Sequence, residues 1–350
     1  MTSGVSSPSV VLRADASAEI GIGHVSRCRT LAAALVRSGW RATLATRQLP
    51  DGLRRSCEAV GIAVLDLPTA MRLDAEPDSM GEQLASQPDL LVVDGYAIDD
   101  SWLGRARAWA PLQMAIDDLA DRPLPVDVLL NQNLGAEADR YRTLVSPRTR
   151  LLIGAAYALL RPEFAIARAA LPARDGRIER AIVFLSGGDA GDVTRRAAEG
   201  VVAAGLAADV VVGAAYPHLN GLRAWAAGRS DVELHVDTDG MADLMARADV
   251  AVGAPGSASW ERCALGLPTV LITLADNQVA ASEQLAGHGA ALSLGWQADV
   301  EAADVAAALA ALRADPDRVR RMSTAAAAIT DGRGVERVVA AIGDVREMRP

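Results

Sequence analysis

Short apolar runs of four to seven residues alternate with stretches of helical periodicity along the whole chain. VVLRAD (10–15) predicts a strand, and GHVSRCRTLAAALVRSG (23–39) predicts a helix ended by Gly39. RATLATR (41–47), GIAVLDL (61–67), PDLLVVDGY (88–96), LQMAIDD (112–118) and VDVLLN (126–131) read as further strands, with a helix over 51–60. The scheme then repeats. RAIVFLSGGDAGD (180–192) is a strand running into a glycine turn, ADVVVGAAY (208–216) and VELHVD (232–237) are strands, and MADLMARA (241–248) is a helix. DVAVGAPGSASWERCALG (249–266) gives strand, turn and helix, and PTVLITLAD (268–276) a last strand. Helical stretches at 302–329, in broken form, and at 334–346 close the chain. Apolar strands of this length between helices predict parallel sheets covered on both faces.

A chain of 350 residues has room for two such domains. The Pro- and charge-containing segment 159–177 reads as the connector. The expected division is a first α/β domain over 1–170 and a second over 171–330. A terminal helix over 331–350 would pack back toward the first. The predicted fold class is α/β: two Rossmann-like domains with a cleft between them, ligands lying beyond the carboxyl ends of the strands.

Charge and composition narrow the partners. The 35 Lys and Arg against 44 Asp and Glu leave a net charge of −9, the wrong sign for tracking nucleic acid. Six Trp, four Tyr and two Phe are too few for stacked aromatic platforms. Cys28, Cys57 and Cys263 are far apart and odd in number, which argues against a disulfide scaffold or a zinc site. The opening MTSGVSSPSV lacks a basic stretch followed by an apolar one, and no apolar run reaches 18 residues. The expectation is a cytoplasmic protein without membrane insertion.

Chemistry concentrates at the strand ends. After the first strand, Gly21 and Gly23 can take positive φ and bring backbone close to a ligand. His24 follows at the helix start, where the dipole disfavours imidazolium and leaves a neutral base. Asp15 and Asp94 end two strands, with Tyr96 just beyond; either acid could orient His24, hold a sugar hydroxyl or simply cap the next helix. Asp117 and Asp118 end a third strand with the same choices. The GIGHVS spacing is not the dinucleotide fingerprint. In the second half, Gly187 and Gly188 precede a helix whose first N–H groups could take phosphate. Gly256, Ser257 and Ser259 repeat that arrangement, and Glu261 could accept from ribose hydroxyls or merely complement the helix dipole. Asp276, Asn277 and Gln278 sit at another strand end.

These segments carry a family likeness. RADASAEIGIGHVSRCRTLA (13–32) resembles the opening of the UDP-sugar hydrolases of pseudaminic acid biosynthesis, which remove UDP from UDP-2,4-diacetamido-2,4,6-trideoxy-β-L-altropyranose. VVDGY (92–96), IDDLADR (116–122), DVLLNQN (127–133), LLIGAAYALLRPEF (151–164), SGGDAGDVT (186–194), MADLMARADVAVGAPGSASWERCALGLP (241–268) and ADNQ (275–278) match the same family in order. The resemblance implies a GT-B-type arrangement, similar to that of glycosyltransferases. It implies His24 as the base that activates water, with Asp15 and Tyr96 at the sugar; Asp94 stands as a further catalytic candidate from its place at a strand end, and Arg27, Gly21 and Gly23 as substrate-binding candidates. Glu261 would hold the ribose, Gly256 and Ser257 the diphosphate, and Asn277 the sugar end. No cofactor and no metal are implied; the partners are a UDP-sugar and product UDP. Two positions depart from the family pattern. Gly95 stands where the family usually has histidine, and Asp192 where an amide is common, which leaves the sugar open. A GT-B-type glycosyltransferase, a hydrolase of another amino sugar and a non-catalytic UDP-sugar sensor are the alternatives. No apolar surface patch that would favour a membrane-borne acceptor is evident in the sequence.

Overall fold

The computed structural model describes residues 7–17, 20–185, 189 and 191–348. Contacts divide the chain into two compact units, 1–160 with 333–350, and 161–332. The helix Pro162–Ala170, expected in the first domain, therefore counts with the second unit. It packs on the helices Met241–Arg247 and Ala258–Ala264. Arg168 ties it further into that unit through the carbonyls of Ala264, Ala327 and Thr330.

The first unit holds seven strands: β1 (Ser9–Ala14), β2 (Arg41–Thr46), β3 (Ile62–Asp66), β4 (Leu90–Asp94), β5 (Gln113–Ile116), β6 (Val128–Asn131) and β7 (Arg150–Ile153). They pair in parallel in the order β3-β2-β1-β4-β5-β6-β7. Alternate residues feed two cores. Val10, Leu12 and Ala14 of β1 pack with Leu31 and Leu35 of the helix Gly23–Arg37, and with Val338 and Ile342 of the last helix. Val11 faces the other way, toward Leu91, Val93, Trp102 and Tyr141. The second unit repeats the plan with β8 (Arg180–Phe184), β9 (Ala207–Val212), β10 (Val232–Val236), β11 (Val250–Gly253), β12 (Thr269–Thr273) and β13 (Ala291–Trp296), in the order β10-β9-β8-β11-β12-β13. The sequence pattern did not single out β13, because its LSLGW run is only half buried and polar-interrupted.

Each sheet reverses its strand order at one place, between β1 and β4 in the first and between β8 and β11 in the second. At such a reversal the loops leave in opposite directions and open a crevice at the carboxyl ends of the strands. The chemistry-bearing segments after β1, β4 and β11 sit at these two reversals.

The last helix, Gly334–Glu347, covers the β1 face of the first unit and starts against its backbone. A Cβ at Gly334 would lie 2.2 Å from the Ala158 carbonyl oxygen and 2.5 Å from the Ala158 nitrogen, so only glycine fits. Gly334→Ala is therefore expected to destabilise the protein by about 1–3 kcal/mol, as overpacking against rigid backbone does. Gly343→Ala in the same helix meets open space and should be neutral or slightly stabilising. Thermal unfolding of the two variants side by side checks this.

Candidate active site

A cavity of about 330 Å³ opens at the first sheet's reversal, lined by Arg13, Asp15, Ile20, His24, Arg47, Leu73 and the run Asp94–Ile98. Beside the ionisable groups it is lined by the apolar side chains of Ile20, Leu73, Ala97 and Ile98.

Asp94, the last residue of β4, is fully buried and organises the ionisable groups. Its Oδ1 lies 2.6 Å from His24 Nδ1 and accepts from Arg27 Nη2 at 2.7 Å, while Oδ2 accepts from Arg27 Nε at 2.6 Å. Burial alone would push the carboxyl up; the Arg27 charge and hydrogen bonds, joined by His24, hold it below the usual carboxylate range. An ionised carboxylate has no proton to give, so Nδ1 of a neutral His24 donates to it and Nε2 is the nitrogen left to accept; Arg27 Nη2 also lies 3.2 Å from Nδ1. His24 and Arg27 stand three apart on one helix, which puts both side chains over the end of β4.

Tyr96 joins this group. Its ring meets that of His24 edge-on at 5.1 Å, and its hydroxyl hydrogen-bonds Asp118. Burial and the Asp118 carboxylate push that hydroxyl up to about 12, so it stays neutral. Asp118 also lies 3.7 Å from Arg27 Nη1. The two acids of the IDD run thus separate. Asp118 joins the site, whereas Asp117 accepts from Tyr141, Arg122 and the Ala120 N–H as a structural anchor.

Asp15 does not touch His24 in this arrangement. Its Oδ1 accepts from the Arg47 N–H at 2.6 Å and from the Thr46 hydroxyl at 3.1 Å, and its Oδ2 pairs with Arg13 at 2.8 Å. Burial opposes ionisation, but Arg13 and the Arg47 N–H outweigh it and lower the carboxyl. Arg13 in turn grips the fully buried Glu76 through Nε at 2.5 Å and Nη2 at 3.1 Å, and Arg47 Nε donates to the same carboxylate. The sequence reading missed Arg13, Arg47 and Glu76. The signal was present in VVLRAD: an arginine inside an otherwise buried parallel strand requires a buried acid.

Of the two glycines after β1, Gly21 has φ +80° and closes a bridge to Ser17. Gly23 lacks the positive φ expected of it, because it is already the first residue of the helix. At Gly95 an added Cβ would meet only Ile98, at 3.8 Å, so the cavity is open where the resembled family carries a larger residue.

In the second unit, Gly187 and Gly188 lie outside the described residues. Asp189 caps the helix Val193–Ala203 through the N–H groups of Val193 and Thr194. The Asp192 carboxylate is occupied by the Tyr216 hydroxyl at 2.5 Å. After β11, Gly256 and Ser257 are exposed, but Ser259 is buried and its hydroxyl accepts from Arg262, which also braces the turn at the Ala254 carbonyl. Glu261 is half-buried, 3.8 Å from Arg161, and burial raises its carboxyl. Asp276 and Asn277 are exposed on a short turn after β12, whereas the Gln278 side chain bends back to the Leu274 N–H. Elsewhere Asp209 and Glu233, with His235 beside them, are already paired with arginines, Arg247 with both and Arg180 with Asp209. Among the described residues no helix is long and apolar enough to cross a membrane.

The whole chain superposes on MurG of Acinetobacter baumannii with a TM-score of 0.67 at 12% identity, covering 97% of this chain and 99% of that one. The fold is of the GT-B type. LpCGTa, solved in complex with UDP, gives a TM-score of 0.65 at 16% identity, covering 96% and 99%. No protein-family model matches the chain. In sequence it is 26% identical over 215 residues to the spore coat polysaccharide biosynthesis protein SpsG of Bacillus subtilis, 59% of this chain and 62% of that protein. An uncharacterized protein of Methanocaldococcus jannaschii is 21% identical over 276 residues, 75% of this chain and 55% of the relative. The chain thus spans less than two thirds of these two relatives. The UDP-2,4-diacetamido-2,4,6-trideoxy-β-L-altropyranose hydrolase of Campylobacter jejuni is 24% identical over 288 residues, 80% of this chain and 97% of the relative, in line with the family resemblance read from the motifs.

Removing the Asp94 charge should expose how much the site depends on it. Asp94→Asn leaves the buried Arg27 with only the longer contact to Asp118, with an expected loss of about 3–5 kcal/mol at pH 7. Because the folded state depresses the Asp94 pKa, its contribution is complete above the unfolded carboxyl value of about 4 and fades as pH falls through the folded value. Denaturant midpoints of wild type and variant should therefore lie far apart at neutral pH and converge in acid.

Proposed function

We propose that the protein hydrolyses a UDP-sugar at the anomeric carbon, with an N-acylated deoxy-amino sugar as the substrate and UDP as the leaving group. The observation that carries this reading is the His24–Asp94 pair: Asp94 holds the Nδ1 proton, and Nε2 is left as a base on a cavity of sugar size. Water attacks the anomeric carbon from the face opposite UDP. His24 Nε2 takes the water proton, the C–O bond to UDP breaks, and its electron pair stays on the β-phosphate oxygen. The anomeric centre inverts. Tyr96 and Asp15 orient the sugar. In the second unit Gly256 and Ser257 receive the diphosphate, Glu261 the ribose, and Asn277 and Asp276 the sugar end. UDP is a fair leaving group, so backbone donors suffice for the charge that develops on it. The similarity to the Campylobacter hydrolase over 97% of its length supports this reading.

The glycosyltransferase reading stands beside it on one observation. Ile20 and Ile22 after β1, and Leu119 after β5, are 48%, 50% and 39% exposed. Apolar side chains at the ends of these strands suit an apolar acceptor whose hydroxyl replaces water.

Incubation with a panel of UDP-sugars in ¹⁸O-labelled water separates the two. Hydrolysis at carbon places the label in the free sugar. Label in UDP would refute attack at carbon, and turnover only with an added acceptor would favour transfer. His24→Gln should lose about 10²–10⁴-fold in turnover while UDP binding, read by calorimetry, is unchanged. Turnover near wild type would remove His24 from the role of base.

A further inference from the structure

The Arg13–Glu76–Arg47 cluster behind the cavity is not used by the hydrolytic step. Glu76 is fully buried and shared by the two guanidiniums, but unequally. Arg13 makes two hydrogen bonds to it and pairs with Asp15 through its remaining nitrogen. Arg47 gives Glu76 only its Nε, and its Nη2 is buried without a hydrogen-bond partner. A guanidinium with an idle buried donor is costly to leave unsatisfied, and the Arg47 side chain, still partly exposed, lines the cavity. Asp15 and Arg47 both line the cavity, and the Arg47 backbone N–H holds Asp15 through Oδ1.

The charges decide what this pair accepts. Arg13, Arg47 and Arg27 face Asp15, Glu76, Asp94 and Asp118, so this side of the site carries one net negative charge and offers no attraction for an anion. A neutral group with one acceptor and one donor fits it, and Leu73, Ala97, Ile98 and Ile20 supply an apolar surface for an attached alkyl group. A secondary amide bearing a small acyl chain has all three features.

We propose that Arg47, with Asp15, forms a subsite for an N-acyl group of the substrate sugar. The Arg47 guanidinium donates to the acyl oxygen, Asp15 accepts from the amide N–H, and the acyl methyl rests on the apolar lining. This deepens the UDP-sugar reading and rests on it for the placement of a sugar in this cavity. Arg47 is then a specificity residue, distinct from the His24 base.

The test compares UDP-N-acetylglucosamine with UDP-glucose, which differ only by an acetamido group in place of a hydroxyl. Calorimetric affinities are measured for wild type, Arg47→Met and Arg47→Lys, with UDP alone as the common reference. Wild type is expected to favour the acetamido sugar by about tenfold or more, as a site built to hydrogen-bond a polar group does. Arg47→Met should bring the ratio to about one without changing UDP affinity, and Arg47→Lys should restore part of it. Arg13 still holds Glu76 in these variants, and equal melting temperatures verify that the fold survives. If Arg47→Met melts early, the Arg47→Lys ratio decides: a ratio equal to wild type overturns the subsite. No preference in wild type, or a preference unchanged in Arg47→Met, also overturns it. Because the readout is binding, failure of hydrolysis would sink the proposed reaction and leave this ratio to be judged by itself.

Discussion

A single buried carboxylate sets the order of the first unit's site. Asp94 ends the central strand β4 with no exposed surface, and such a group stays ionised only when its neighbours supply compensating charge. Arg27 supplies it from two nitrogens, and that pairing fixes the helix Gly23–Arg37 relative to β4. His24 then has one place to put its Nδ1 proton. The tautomer, the direction of the imidazole and the edge contact to Tyr96 all follow from one ion pair. The same logic recurs behind it, where Glu76 holds Arg13 and Arg47, so the cavity wall consists of cations already anchored by acids.

The alternation of short apolar runs with helices made the two parallel sheets legible, because strands buried on both faces cannot hide their composition. β4 is the clearest instance: LLVVD is buried at all five positions, and its one acid marks the strand end. His24 was legible too, as a histidine at a helix start beside a strand end. Its partner was not. Asp15 and Asp94 look alike in sequence, each closing a strand that neighbours the other, and only the register of β1 on β4 with the three-residue spacing to Arg27 separates them. The Glu76 cluster was hidden for a different reason. Glu76 opens a helix, where acids are common, and nothing local marks it as the counter-charge of an arginine 63 positions earlier.

The second unit shows where polar turns mislead. Ser257 and Ser259 look equivalent in APGSASW, yet one is exposed and the other is buried under its own turn as an acceptor for Arg262. Asp192, a carboxylate out of place beside a diphosphate, is occupied by Tyr216. Gln278 folds back onto Leu274. In each case a bond to another protein group, within the turn for Ser259 and Gln278 and from a neighbouring segment for Asp192, takes a group that spacing alone would have given to a ligand.

The route of the chain has a consequence for how the molecule is made. The second unit is inserted into the first, whose β1 face packs on the helix Gly23–Arg37 and on the last helix, Gly334–Glu347. During synthesis the seven strands of the first sheet emerge early, but Leu12, Leu31 and Leu35 lack Val338 and Ile342 until nearly the whole chain has left the ribosome. The unit that begins first is therefore completed after the second, and until then the part of its β1 face that Val338 and Ile342 cover has only the helix Gly23–Arg37 beside it.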